Sequence, residues 1–332
     1  MKNGVMQLKK TSSDLLFGPY GAASLKHAAI LHDYGANAVW FHGFDPRAFA
    51  DCDEHGLAAC VEFQTFRADF DKHPALIPIG TDGKPIRYGS LVQGVCLSNK
   101  EFLAETEATL ADGIRQFKPR GIWLDYLAYA GWFETPTPDL QDSCFCKSCV
   151  DDFCETTGID ADRPASILKL FAKEWAAHKC GKIAGHALHY AELIRSRHPD
   201  CIIGAYMCPW KPEEFNGALR CIFAQDFGML ADAIDIFTPL IYAAKSGRAN
   251  SWGKEYLEDS GSFIPPGKKI QLILDYQDYP QSLDLAAEAR LPSWGIQMYS
   301  GGDMFEHPGQ AASFRQAVLA IRQAAGQAWA QS

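Results

Sequence analysis

The feature that most constrains this chain is an alternation, kept from end to end, of short apolar runs with longer amphipathic stretches. The apolar runs are DLLFGPY (14–20), NAVWFHGF (37–44), LAACVEFQTF (57–66), GIWLDYLAY (121–129), CIIGAYMCPW (201–210), DIFTPLIYAA (235–244), KIQLILDYQDY (269–279) and WGIQMYSGG (294–302). Each has strand length and little polar alternation, as expected of strands covered on both faces. Between them lie segments with helical spacing. AASLKHAAILHDYG stops at Gly35, and KEFLAETEATLADGIRQF carries a polar face. A long helix is predicted over about 163–197, ending before His198-Pro199, and a closing helix over QAASFRQAVLAIRQAAG buries Phe314, Val318, Leu319 and Ile321.

Eight strand candidates interleaved with helices predict an α/β fold with a parallel sheet. Eight repeats in a chain of this length fit a closed (β/α)8 TIM barrel better than an open doubly wound sheet. No G-x-G-x-x-G fingerprint opens a helix, so dinucleotide binding has no support. The expectation is a single domain over 1–332, with a Cys-rich insertion at about 130–155 after strand four.

Charge narrows the partners. Thirty-one Lys and Arg against 40 Asp and Glu leave a net charge of −9 without a basic tract, which argues against nucleic acid and anionic membrane. No apolar run approaches the roughly 18 residues of a membrane span. The opening MKNGVMQLKKTSSD has no apolar stretch behind its lysines, so a cytoplasmic location is expected. In that compartment the eleven cysteines are not a disulfide framework.

A barrel of this kind works at the C-terminal ends of its strands. Those ends offer His42, Glu62, Asp125 with Tyr126, Cys208-Pro209-Trp210, Tyr242, Asp275 with Asp278, and Tyr299 followed by Asp303 and Glu306. Acids and rings dominate, and lysine is confined to Lys211 and Lys245. Carboxylates grip hydroxyls and aromatic faces stack on sugars, so a neutral carbohydrate is the expected partner. A sugar-phosphate lyase or isomerase would need a strand-end lysine or phosphate clamp, for which Lys245 is the nearest candidate. A glycan-binding barrel without turnover is the other alternative.

Cysteines crowd together at Cys144-Phe-Cys146-Lys-Ser-Cys149, with Cys154 following. Three thiols within six residues can converge on one zinc ion, because Zn–S bonds of about 2.3 Å demand clustered donors. The fourth ligand is Cys154 or Cys96. The other reading is a set of free thiols.

The C-x-C-x-x-C insertion behind a strand, together with Cys96 in RYGSLVQGVCLSNKEF, resembles the zinc site of the glycoside hydrolase family 42 β-galactosidases. It also resembles a broader set of uncharacterised barrel glycosyl hydrolases. The resemblance implies one structural zinc held by Cys96, Cys144, Cys146 and Cys149. The match departs where chemistry would sit. Family 42 places Asn-Glu at the end of the fourth strand, whereas this strand ends GIWLDY with Asp125. An Asp there is similar to retaining α-glycosidases and α-L-fucosidases, where it is the nucleophile. The stretch QDFGMLADAIDIFTPLIY resembles the Q-D…D…P-M-Y segment of the uncharacterised set, which makes Asp226 the equivalent acid. Related barrels often self-associate, which leaves a homo-oligomer open; the sequence does not decide the oligomeric state.

Glycoside hydrolysis, or glycosyl transfer, uses two carboxyl groups flanking the scissile bond. Asp125 is expected as nucleophile or base, the alternative being a strand-end cap. Asp226 is expected as the acid, the alternative being an N-cap of GMLADA. Asp275 is a further acid or transition-state stabiliser. Glu62, His42, Trp210, Tyr242 and Tyr299 are expected to bind substrate. Trp132, Phe133 and Trp252 fall in loops, where an exposed ring is less readily explained by packing.

Overall fold

In a computed structural model, described for residues 15–86, 94–161, 163–278, 281–289, 293–299 and 303–329, the apolar runs form one parallel sheet. Its strands are β1 (Leu16–Pro19), β2 (Ala38–His42), β3 (Ala58–Gln64), β4 (Gly121–Asp125) and β5 (Ile202–Met207). They continue with β6 (Ile236–Ile241), β7 (Lys269–Ile270), β8 (Leu272–Asp275) and β9 (Gly295–Tyr299). The hydrogen-bonded order is β1-β9-β8-β6-β5-β4-β3-β2, with β7 on the lower half of β6. β7 and β8 are one stave, broken at Gln271, so nine strand segments make eight staves. The ring closes where Tyr20 bridges Trp40 and Gly21 N–H donates to the Trp40 carbonyl at 2.7 Å. This is the expected (β/α)8 barrel.

Two glycines allow that closure and its filling. A β-carbon on Gly18 would sit 1.8 Å from the Ala38 carbonyl oxygen, so only glycine lets β1 approach β2 this closely. A β-carbon on Gly204 would meet the Trp123 indole at 2.3 Å. The inward Trp123 crosses Trp40 edge to face at 5.4 Å and donates its Nε1–H to Thr238 Oγ1 at 2.8 Å. Above them the Tyr206 hydroxyl and the Gln297 amide lie 2.7 Å apart. These layers fill the barrel, as its interior must be filled, and leave open space at the C-terminal strand ends.

The helices follow local signals. In Lys100–Phe117 the Asn99 side chain caps the Phe102 N–H at 2.9 Å, a contact worth about 1 kcal/mol. Its buried face is Thr106, Leu110, Gly113 and Ile114, the spacing of one helical stripe. The helix expected over 163–197 is two, Pro164–Leu170 and Ala172–Arg197. They break at Phe171, which packs against a satellite core of Phe145, Phe153 and Trp175. In the closing helix Phe314, Val318 and Ile321 are buried but Leu319 is 58% exposed, because the residue after Val318 turns about 100° away. Among the described residues no helix is long and apolar enough to cross a membrane. Residues 87–93 of the irregular segment before Cys96, and 300–302 after Tyr299, lie outside the described residues.

The insertion after β4 has no strand of its own and is fastened by contacts to its neighbours. Phe145 N–H donates to the Ile79 carbonyl at 2.8 Å, joining it to the loop behind β3. The fully buried Lys179 pairs with Asp142 and donates to the Cys221 carbonyl at 2.6 Å. A buried cation left without these partners would be strongly destabilising, so the pair fixes the insertion against helix Ala172–Arg197.

Candidate active site

The C-terminal strand ends enclose a pocket of about 340 Å³, within the range of small-molecule sites. Its acids are Glu62, Asp125 and Glu134, and much of its wall is aromatic, including Tyr20, Tyr206, Tyr242 and Tyr299. Tyr20 stacks on Tyr299 with centroids 5.6 Å apart, and Tyr242 lies 5.1 Å from Tyr299.

Glu62 and Asp125 project from neighbouring staves. Gln64 stands opposite Asp125 in the β3–β4 register, and Glu62 opposite Trp123. The two acids share the inward face because side chains alternate along a strand. The end of β4 is held firmly, with Thr65 N–H and Oγ–H donating to the Asp125 carbonyl at 2.9 and 2.7 Å. Tyr126 follows with φ of 54°, a left-handed conformation that costs a non-glycine residue about 1–3 kcal/mol. That turn brings Tyr126 N–H to Asp125 Oδ1 at 2.8 Å.

Burial pushes the Asp125 carboxyl well above the ordinary range, and the charge of Glu62 and a hydrogen bond to it push the same way. Glu134 adds to this, while the Tyr126 N–H opposes it. Burial also raises Glu62, but the hydrogen bond from Asp125, the Gln64 amide at 3.0 Å and Arg67 all favour its charged form. Two acids in hydrogen-bond contact need a proton between them. The surroundings place that proton on Asp125 and the charge on Glu62.

Glu134 lies in the insertion, directly after Trp132 and Phe133. Burial raises it to about 7, against the pull of Lys245, with Asp275 adding to the rise. Lys245 Nζ lies 2.9 Å from Asp275 Oδ2 and 3.8 Å from Glu134 Oε2. It also faces the Tyr242 and Tyr299 rings at 4.7 and 4.4 Å. Asp275, only 3% exposed, therefore meets the pocket through Lys245 and is not among its lining residues. Asp278 is structural: its carboxylate accepts the Ala243 and Ala244 N–H groups at 2.6 and 2.7 Å, anchoring the loop that carries Lys245.

Other expected site residues lie apart from the pocket. Asp226 caps the short helix Phe227–Leu230 through Met229 N–H at 3.1 Å and pairs with Arg220 at 3.2 Å. Its carboxylate is committed to a helix end, so the N-cap alternative describes it. Trp210 is buried, with Phe215 at 4.1 Å and Phe133 at 6.4 Å, and supports the wall without lining the pocket. His42 is 61% exposed and outside the pocket lining, with Nδ1 3.7 Å from Glu62 Oε2; partial burial of the ring and then Arg67 lower its pKa. Trp252 is buried, with Arg248 over its ring. The acid that strand-end reasoning missed is Glu134. The one signal near it was the pair of loop rings, Trp132 and Phe133, that precede it.

The cysteines of the insertion converge with Cys96. The four sulfurs of Cys96, Cys144, Cys146 and Cys149 lie within 4.8 Å of one another. Cys96 Sγ is 3.6 Å from Cys146 Sγ and 3.7 Å from Cys149 Sγ. Tetrahedral Zn–S bonds of about 2.3 Å would set sulfurs about 3.8 Å apart, so this donor set fits a metal ion. The separations are far from the ~2 Å of a disulfide. Cys154 is elsewhere, donating to the Ala161 carbonyl at 3.2 Å.

No protein-family profile matches the sequence, and no curated protein matches it. Solved structures do resemble the fold. The glycoside hydrolase domain of PgaB (BpsB) from Bordetella bronchiseptica matches with a TM-score of 0.71 at 12% identity, over 92% of this chain and 99% of that one. A β-galactosidase from the haloarchaeon Halorubrum lacusprofundi gives 0.63 at 12% identity, over 94% and 58%. A family 42 β-galactosidase from G. stearothermophilus gives 0.65 at 11%, over 94% and 56%. The chain thus spans little more than half the length of those β-galactosidases. At these identities the likeness is one of fold alone.

Proposed function

We propose that this chain is a glycoside hydrolase that acts on a small oligosaccharide or glycoside through a carboxyl pair led by Asp125. The observation that carries the reading is the Asp125–Glu62 pair, an acid raised first by burial and then by a neighbouring carboxylate, inside an aromatic-walled pocket. The fold neighbours, whose own descriptions are glycoside hydrolase domain and β-galactosidase, support it. An acid raised well above the ordinary carboxylate range suits a proton donor better than the nucleophile or base expected from the sequence. Asp125 gives its proton to the leaving oxygen as the glycosidic C–O bond breaks and becomes a carboxylate. Glu134 is the second carboxyl. Ionised above about 7, it attacks the anomeric carbon or takes a proton from the attacking water.

Lys245 does not favour the sugar-phosphate alternative, since its ammonium is engaged by Asp275. Cys96, Cys144, Cys146 and Cys149 would hold a structural zinc that ties the insertion to the loop behind β3 and so braces the segment carrying Glu134. Asp125→Asn tests the function. On a panel of aryl glycosides it should lower kcat by about 10²–10⁴ while ligand affinity remains. Unchanged turnover would remove Asp125 from the mechanism. Binding without turnover in the parent protein would favour the glycan-binding barrel.

A further inference from the structure

Outside the pocket, the loop after β5 carries three successive residues in the left-handed region: Phe215 at φ 51°, Asn216 at 57° and Gly217 at 78°. Glycine takes that conformation freely, but a bulky aromatic residue does so only when its surroundings hold it. Here they hold the Phe215 ring outward, 40% exposed, on the buried Trp210 at 4.1 Å. Trp210 in turn meets Phe133 and Phe223, both lining the pocket. Phe215 therefore continues the aromatic wall of the pocket outward, two ring contacts from its edge.

Polar groups flank that ring. Arg248 lies 5.9 Å from the ring centroid, and its Nη2 donates to Glu214 Oε1 at 2.6 Å. Glu214 Oε2 accepts the Lys211 N–H at 2.7 Å, so the loop is pinned immediately before Phe215. Arg248 sits three residues after Lys245, on the loop that Asp278 anchors. One segment thus reaches inward to Glu134 and outward to Phe215.

We propose that Phe215, with Arg248 and Glu214 at its edge, is an outer subsite that stacks a further sugar ring of an oligosaccharide whose scissile bond lies at Asp125. A ring 40% exposed, with a guanidinium over it and a carboxylate paired to that guanidinium, offers a pyranose both an apolar surface and hydroxyl partners. The inference rests on the glycoside hydrolase reading and deepens it, because it makes chain length a determinant of affinity.

The test uses cello-, galacto- and chito-oligosaccharides of two to six units, with binding read by tryptophan fluorescence and turnover read separately. In Phe215→Asn the new residue tolerates the left-handed backbone, so folding is preserved while the ring is lost; Phe215→Trp keeps a ring. The preference for longer over shorter oligomers should fall about tenfold in Phe215→Asn, the factor carried by a ring contact of about 1.4 kcal/mol, and persist in Phe215→Trp. An unchanged length preference in Phe215→Asn, or no length preference or oligomer binding in the parent, overturns the subsite. Length-dependent binding through Phe215 without any turnover would instead leave the subsite standing and overturn the hydrolase.

Discussion

Asp125 and Glu62 bring two buried carboxyls together from the adjacent staves β4 and β3, and each raises the need for a proton shared between them. Glu62→Gln removes the charge that helps hold that proton. Asp125 should then ionise at lower pH, and the alkaline limb of the kcat/KM profile should move down. Burial, the largest cause of the raised value, stays in place, so the limb shifts without disappearing. A limb that stays fixed in Glu62→Gln would mean that another group sets it.

The acid limb should belong to Glu134, with activity rising as pH passes about 7. Its two charged neighbours act in opposite senses. Lys245→Met removes the cation 3.8 Å away and should move the limb up by about one unit, whereas Lys245→Arg should keep it near its place. Asp275→Asn removes a repelling charge and should move it down. Opposite shifts in kcat/KM against pH are the signature of tuning by charge, since mere loss of packing would not reverse sign between the two variants.

The same group links activity to stability. Glu134 binds its proton more tightly folded than unfolded, where its ordinary value is 4.5. The stability this contributes is fully present below 4.5 and is lost as pH rises through about 7. Glu134→Gln mimics the protonated side chain at every pH. It should match the parent near pH 4 and exceed it at pH 8, by at most about 3.4 kcal/mol in urea unfolding. A Gln variant less stable than the parent at pH 8 would show that the carboxylate is better satisfied in the pocket than its raised value implies.

How far the sequence could be read follows from which forces act locally. Strand periodicity, the Asn99 cap and the inward acids at the ends of β3 and β4 are local or alternate with a fixed period, so the barrel and Asp125 were legible. Asp226 had two local readings, acid or N-cap, and spacing did not choose between them; Trp210 occupied a plausible position, but its contact with Phe133 comes from packing between distant segments that spacing does not encode. Glu134 was hidden for the opposite reason. It belongs to an insertion without periodicity and enters the pocket because Lys179 and Asp142, 37 residues apart, pin the insertion down. The cysteine cluster stood between these cases: its three close thiols were visible, while the choice between Cys96 and Cys154 needed the distance between two loops.

That choice gives the metal proposal a sharp control. Cys146→Ser removes a sulfur that lies 3.6 Å from Cys96 Sγ, and should abolish stoichiometric zinc and lower the melting temperature by about 5 °C or more. Cys154→Ser alters a thiol bonded to the Ala161 carbonyl and should leave the metal content at one per chain. Because the ion would join the insertion to the loop behind β3, chelation in the parent should lower stability first and turnover only as the insertion loosens. Metal analysis and melting curves on the three proteins decide the matter. Full zinc in Cys146→Ser, or its loss in Cys154→Ser, would place the ligands elsewhere.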